Sequence, residues 1–182
     1  IPVDRYPKEK LISTVNTMSD HINRLENYVS AMNTLYRLED ITVDPGPVEG
    51  EKLAATLRST AEILCREADM RLQFNACLDG ILQVDAEVVM QVFENMMSNA
   101  VRFASGAIQV DCSRDGQELV LVVTDDGKGF LQEDLRQAAA PYYRGRPSEE
   151  DTHFGLGLNI CKLLCEKHGG YLKIAAAQAA RW

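Results

Sequence analysis

The amino-acid sequence predicts a compact α+β domain preceded by one long helix, and three patterns carry that reading. Leu11, Val15, Met18, Ile22, Leu25, Val29, Met32 and Tyr36 alternate spacings of four and three, the seam of a helix that packs lengthwise on another helix. From residue 51, segments of helical period alternate with short apolar runs of strand length. Between residues 107 and 124, an Asp115-Gly116 pair separates two strand-like runs, a strong hairpin signal.

Taken in order, the seam helix covers residues 8–40 and is ended by Asp44-Pro45-Gly46-Pro47. An apolar stripe of that length does not stay in water alone, so it requires a dimer or a neighbour outside this chain. "LAATLRSTAEILCREA" is an amphipathic helix, "RLQFNACL" a strand and "ILQV" a second, short strand. Asp85 is placed to cap a helix that reaches about Ala104. The hairpin pairs residues 107–112 with 118–124, and a polar segment follows to about Phe154. Within that segment "FLQEDLRQAAA" has helical spacing at Phe130, Leu131 and Leu135. A helix over residues 156–168 is closed by Gly169-Gly170. "YLKIA" reads as a last strand, and the Ala-rich "AAQAARW" after it suggests a terminal strand cut short.

The chain has 182 residues, 46% of them apolar, enough for one good core. Its net charge of -8 argues against a nucleic-acid partner, because phosphate contacts need a basic face. No run approaches the roughly 18 apolar residues of a membrane span, and the N-terminus has no signal-peptide pattern. No membrane contact by this fragment is expected. Its five cysteines are scattered without a disulfide-scaffold spacing, which fits a reducing, cytoplasmic compartment. Cys161, Cys165 and His168 fall at i, i+4 and i+7 and imitate a metal site. Only three ligands are on offer there, and Leu158 and Leu164 border the face, so core packing is the expectation.

Three stretches ask for chemistry. In "VVTDDGKGF" a strand runs into Asp125-Asp126-Gly127-Lys128-Gly129, yet no partner strand follows, so a hairpin turn does not account for it. In "AEVVMQVFENMMSNAVRFA" an apolar stripe of Val89, Phe93, Met96 and Ala100 stands apart from Asn95, Asn99, Arg102 and Phe103 at i, i+4, i+7 and i+8. Asparagine costs about 0.5 kcal/mol relative to alanine inside a helix. Two of them beside an arginine and a ring form either a solvated face or the floor of a nucleotide pocket. On the second reading the amide oxygens serve Mg²⁺, the arginine answers phosphate and the ring covers a base. In "HFGLGLNICKLL", Gly155 and Gly157 precede a helix whose free N–H groups suit an anion. Neither GxGxxG nor a P-loop is present.

In order, "NMMSNAVRF", "DDGKGF", "PYYRG" and "FGLGL" resemble the N, G1, F and G2 boxes of the ATP-binding domain of sensor histidine kinases. That superfamily also holds gyrase-type ATPases, heat-shock chaperones and MutL proteins. The resemblance covers residues 51–177, and "RLENYVSAMNTLYRLED" resembles the second helix of the kinases' dimerisation domain. It implies a two-layer α/β sandwich, with a mixed sheet covered on one face by helices, preceded by a helix from a dimerisation hairpin. The domains implied are residues 1–45 for that helix and 46–182 for the ATP-binding unit.

By the same resemblance, ATP and Mg²⁺ are the cofactors. Asp125 accepts from the adenine amino group, and Gly127 and Gly129 let the backbone pass close to the base. Asn99 coordinates Mg²⁺, Asn95 lines the phosphate side, Arg102 contacts phosphate and Phe103 packs on adenine. Tyr143 and Arg144 match the F box, with Tyr142 where phenylalanine is commoner. Gly155, Leu156, Gly157 and Leu158 form the hinge and phosphate-facing turn, and the segment between Gly129 and Gly155 matches a mobile lid. Asp126 takes a variable position and no role.

Kinases of this type phosphorylate a histidine followed by an acidic residue and soon by proline. His21, His153 and His168 do not fit that pattern. The chain therefore reads as the donor half of a longer kinase whose first dimerisation helix, with the acceptor, lies before residue 1. The partners implied are the dimerisation domain of the same kinase, a homodimer in the parent protein, and a response regulator receiver domain. Anchoring of the parent in a membrane is left open. Two other readings stand beside this one: an ATPase or protein-serine kinase of the same superfamily, and a nucleotide-binding interaction module without catalysis. A hydrolytic branch would carry glutamate where Asn95 stands.

Overall fold

The computed structural model describes residues 10–19, 21, 22, 29, 41–131, 135–141, 143 and 155–175. Residues 10–19, 21, 22 and 29 are helical. Their seam side chains Val15, Met18, Ile22 and Val29 are all more than half exposed. Leu25, Met32 and Tyr36 lie outside the described residues.

The compact part runs β1 (Gly46–Glu49), α1 (Gly50–Glu67), β2 (Arg71–Cys77), β3 (Ile81–Val84), α2 (Ala86–Phe103), β4 (Ala107–Asp115), β5 (Glu118–Asp125) and α3 (Gly157–Lys167). Strands β2 and β4 pair in parallel, Phe74 against Val110, and parallel neighbours need a crossover, which α2 supplies. Strand β5 returns antiparallel to β4 through the Gly116-Gln117 loop, with Val123 opposite Val110. The result is a mixed three-stranded sheet in the order β2-β4-β5, beside a separate two-stranded ribbon of β1 and β3.

Helix α1 buries Leu53, Leu57, Ala61 and Cys65, one residue per turn. That stripe meets Phe74, Ile108, Val110 and Cys112 from the sheet and Val89, Phe93, Met97 and Ala100 from α2 in the main core. Each fully buried large side chain there contributes roughly 1.5–3 kcal/mol. Helix α2 has a second buried face. Val88 and Val92 join Leu156, Ile160, Cys161 and Leu164 of the α3 region in a smaller core, with Met96 packed against it. The single stripe expected from the sequence is thus two: Met97 faces the main core and Met96 the smaller one. Helix α2 lies between α1 and α3 and serves both.

The Asp85 cap is as expected, its Oδ1 accepting from the Glu87 and Val88 amides at 3.1 and 3.2 Å. Cys161 packs in the smaller core, where burial pushes its thiol up to about 12, and its Sγ lies 3.5 Å from the Val92 carbonyl oxygen. His168 is a structural acceptor, its Nε2 taking the Asp85 amide at 2.9 Å.

Three expectations are corrected. Strand β1 was hidden by its prolines, yet Pro47 is accommodated opposite Gln83 in a two-stranded ribbon, where one edge has no ladder to complete. "YLKIA" keeps the in-and-out alternation of a strand, with Leu172 and Ile174 partly buried and Tyr171 and Lys173 exposed, but it is not a strand. Alternation places side chains; a strand also needs a neighbour to take its hydrogen bonds, and none pairs with it among the described residues. In "FLQEDLRQAAA", residues 135–139 form turns, with the Leu135 amide on the Leu131 carbonyl at 3.2 Å and the Ala140 amide on the Gln137 carbonyl at 2.8 Å.

Candidate functional site

Two turns of α2 organise the site. Asn95 and Asn99 are partly buried on one side of the helix, and α3 starts against them. A Cβ built on Gly157 would lie 3.2 Å from Asn99 Nδ2 and 3.4 Å from Asn95 Oδ1. The two amides and the start of α3 therefore share one small space. Asn95 spends its Nδ2 on the Gln91 carbonyl at 2.8 Å, which leaves its Oδ1 toward Gly157. Asn99 Nδ2 is buried and has no hydrogen-bond partner among the described residues. An unmet buried donor costs about 1–3 kcal/mol, a cost that a ligand bringing an acceptor removes.

The other glycine motif meets the last turn of the same helix. A Cβ on Gly127 would run into the carbonyl oxygen of Phe103 and come within 2.8 Å of its carbonyl carbon. Gly127 is thus also needed where the chain meets the end of α2, onto which β5 delivers it directly. Gly129, with φ +64°, has open space where a side chain would be. The Gly127 amide donates to Asp125 Oδ1 at 2.9 Å, so Asp125 keeps its second oxygen for a ligand. Phe103 is 54% exposed, with the Arg102 guanidinium over its ring at 4.9 Å from the centroid.

Asp126 is the residue that sequence reasoning missed. Its Oδ1 accepts from the amides of Ser105, Gly106 and Ala107 at 2.7, 2.9 and 3.0 Å. Its own amide donates to the Ala107 carbonyl at 3.2 Å. These amides, the Ala107 one first, hold its carboxyl below the usual range. No local signal pointed to it: a helix end leaves carbonyl groups to satisfy, whereas these three amides belong to the turn that follows α2. Only the fold shows that a carboxylate some twenty positions later would meet them.

The turn before α3 is built on Gly155, at φ +67°, and on Leu156, which is buried in the smaller core. Leu158 is partly buried. Asn159, a buried polar side chain, donates Nδ2 to the Ala139 carbonyl at 3.0 Å. It fastens residues 135–141 to α3. Tyr143 is partly buried, with its amide on the Ala140 carbonyl at 3.2 Å. Arg144, Tyr142 and His153 lie outside the described residues.

Residues 84–180 match the family described as histidine kinase-, DNA gyrase B-, and HSP90-like ATPase. The chain belongs to that family. The chain is 26% identical over 175 residues to the sensor protein SrrB of Staphylococcus aureus strain N315, an alignment covering 91% of this chain and 30% of SrrB. The chain thus spans under a third of the length of that relative. Among solved structures, a mycobacterial sensor histidine kinase, MprB, superposes with a TM-score of 0.59 at 22% identity, covering 75% of this chain and 89% of that one. Full-length ShkA in complex with AMPPNP gives 0.66 at 21% identity, covering 93% of this chain and 40% of ShkA. The family match, the α+β fold and the four boxes agree with one another. No described helix is long and apolar enough to cross a membrane.

Proposed function

We propose that the chain is the ATP-donor part of a sensor histidine kinase. It binds ATP and presents the γ-phosphoryl group to a histidine on the dimerisation domain, from which a response regulator receiver domain takes it. The observation that carries this is the convergence on α2: Gly157 rests on the Asn95 and Asn99 amides, and Gly127 on the Phe103 carbonyl one turn on. Phosphoryl transfer is mostly positioning and charge stabilisation, and this arrangement gives an adenine end and a phosphate end a fixed separation along one helix.

Asp125 reads the adenine amino group and Phe103 covers the base, with Gly129 leaving room beside them. Asn95, Arg102 and the turn Gly155, Leu156, Gly157, Leu158 face the phosphates, and Tyr143 and Arg144 belong to the lid that closes over them. The donor set suits Mg²⁺. Asn99 offers a neutral hard oxygen to the cation and its unpartnered N–H to a phosphate oxygen, and Asn95 has an oxygen to spare. When bound, the ion draws charge off the phosphate chain. Residues 1–45 are assigned to the dimerisation domain and 46–182 to the ATP-binding domain, working in the cytoplasm as part of a homodimeric parent. Exposed Glu94, beside Asn95 but outside the pocket face, disfavours a hydrolytic ATPase.

Calorimetric titration with Mg²⁺ and a non-hydrolysable ATP analogue is the test. One site is expected, with weak or no binding of the GTP counterpart, and Asp125→Asn lowers affinity about 100-fold. Equal binding of adenine and guanine nucleotides would sink the assignment. With γ-labelled ATP, label should reach a histidine on an added dimerisation domain and not His21 of this chain. Acid-labile label on His21 would overturn the donor reading.

A further inference from the structure

We infer that Asp126 is a positioning residue for adenine selection: by gathering three amides of the turn after α2, it sets where Asp125 stands relative to the Phe103 end of that helix. The inference rests on the pocket reading above and gives a function to a position outside the recognised contacts.

The geometry leaves little freedom. On one side of Asp126 is Asp125, the last residue of β5. On the other is Gly127, so near the Phe103 carbonyl that no Cβ would fit between them. A shift of residue 126 toward α2 is blocked there and passes to Asp125, whose Oδ1 is held by the Gly127 amide at 2.9 Å. Opposing any shift are the bonds to Ser105, Gly106 and Ala107, all to one oxygen. The same turn is tied to β2, because the Gly106 carbonyl accepts from the Arg71 amide at 3.0 Å. Successive amides converging on one anionic oxygen make a nest filled from within the chain, and such charge-assisted bonds are stronger than neutral ones. Asp126 thus joins the end of β5, the exit of α2 and the start of β4 at one atom, beside the carboxylate that selects the base.

The test uses this chain as it stands, with ADP and GDP titrated calorimetrically in the presence of Mg²⁺ and a thermal melt of every variant. Asp126→Ala is expected to weaken ADP about tenfold while changing GDP little, so that the preference for adenine narrows. Asp126→Asn keeps an oxygen in the same place and is expected to return ADP binding to within about threefold of the original. Asp126→Glu keeps the charge one methylene further out and should behave like the alanine variant. A variant that merely loosens the fold would lower the melting temperature and leave the ratio of ADP to GDP affinity alone. The inference fails if Asp126→Ala keeps that ratio, or if the asparagine variant binds ADP no better than the alanine one. Should Asp125→Asn leave ADP affinity unchanged, the pocket reading fails and this inference with it. If Asp125→Asn removes binding and Asp126→Ala does nothing, the inference alone is lost.

Discussion

The two glycine motifs press on successive turns of α2, but they meet different things. Gly127 meets backbone, the Phe103 carbonyl, whereas Gly157 meets the ends of two side chains, Asn95 and Asn99. Around Gly127 one oxygen of each carboxylate is taken up by the backbone: Asp125 Oδ1 by the Gly127 amide and Asp126 Oδ1 by three more. Around Gly157 one buried donor, Asn99 Nδ2, has no partner among the described residues. On the function proposed above, the adenine end is the one ordered by the fold and the phosphate end the one left for a ligand to complete. A site built that way would select the base with a rigid surface and spend its unmet hydrogen-bonding capacity on phosphate and metal.

Replacing each glycine by alanine breaks the comparison most directly, and gives the largest effect. At Gly127 the new Cβ collides with backbone that cannot step aside, so Gly127→Ala should cost about 3 kcal/mol in urea unfolding. At Gly157 the new Cβ would sit 3.2 Å from Asn99 Nδ2, the end of a side chain that can give by a few tenths of an ångström. Alanine is also the better helix former. Gly157→Ala should change stability by no more than about 0.5 kcal/mol, while weakening the Mg²⁺-ATP analogue about tenfold. Equal losses of stability at both positions would mean that the two ends are equally rigid.

Much of this was legible in the sequence because local chemistry and the fold agreed. The Asp85 cap, the hairpin, the Gly169-Gly170 stop and the polar stripe of α2 depend on residues within a few positions of each other. What was not legible depends on partners far along the chain. Strand β1 exists because β3 lies beside it, and a proline-broken segment does not announce that. Residues 171–175 alternate like a strand and lack, among the described residues, the neighbour that would make one. The two buried faces of α2 arise because α1 and α3 pack on neighbouring sides, one taking Val89, Phe93 and Met97 and the other Val88, Val92 and Met96. Asp126 is the sharpest case: its three donors sit 19 to 21 positions away, and its neighbour Asp125 carried the recognisable motif.

The start of α2 is a control for the comparison, since it is closed by hydrogen bonds yet distant along the helix from both glycine motifs. Asp85 caps the helix and its Oδ2 also accepts from the Asp44 amide at 3.0 Å. Lys167 Nζ donates to the Ile41 carbonyl at 3.1 Å, so the segment leading into the domain is held at two points. Asp85→Ala should cost about 1 kcal/mol and leave nucleotide affinity unchanged. The Asp85 carboxyl is held below its usual range, chiefly by the Asp44 amide, as that of Asp126 is by Ala107. A folded value below the unfolded one means that the stabilisation is complete above the ordinary carboxyl value of about 3.9. It is then lost as pH falls through the lower folded values. The part of the stability that these two carboxyls supply should therefore be flat from neutrality to about pH 5 and fall below about pH 4. The acid limb should be shallower in Asp85→Asn, and an unchanged limb would remove Asp85 from the account. Asp126 is exposed and Asp85 only partly buried, so solvent screening keeps the effect modest.

The smallest change in stability should carry the opposite sign. Asn99→Ala removes a buried donor that has no partner, relieving a desolvation cost, and puts a better helix former inside α2. The variant is expected to be more stable than the parent by about 1 kcal/mol in urea unfolding. It is also expected to bind the ATP analogue at least about tenfold more weakly, with the loss greatest when Mg²⁺ is present. Better folding with poorer binding is the mark of a residue kept for a ligand at the fold's expense. If Asn99→Ala instead destabilised the chain and left Mg²⁺-dependent binding intact, that amide would be a packing group, and the phosphate end would be as finished as the adenine end.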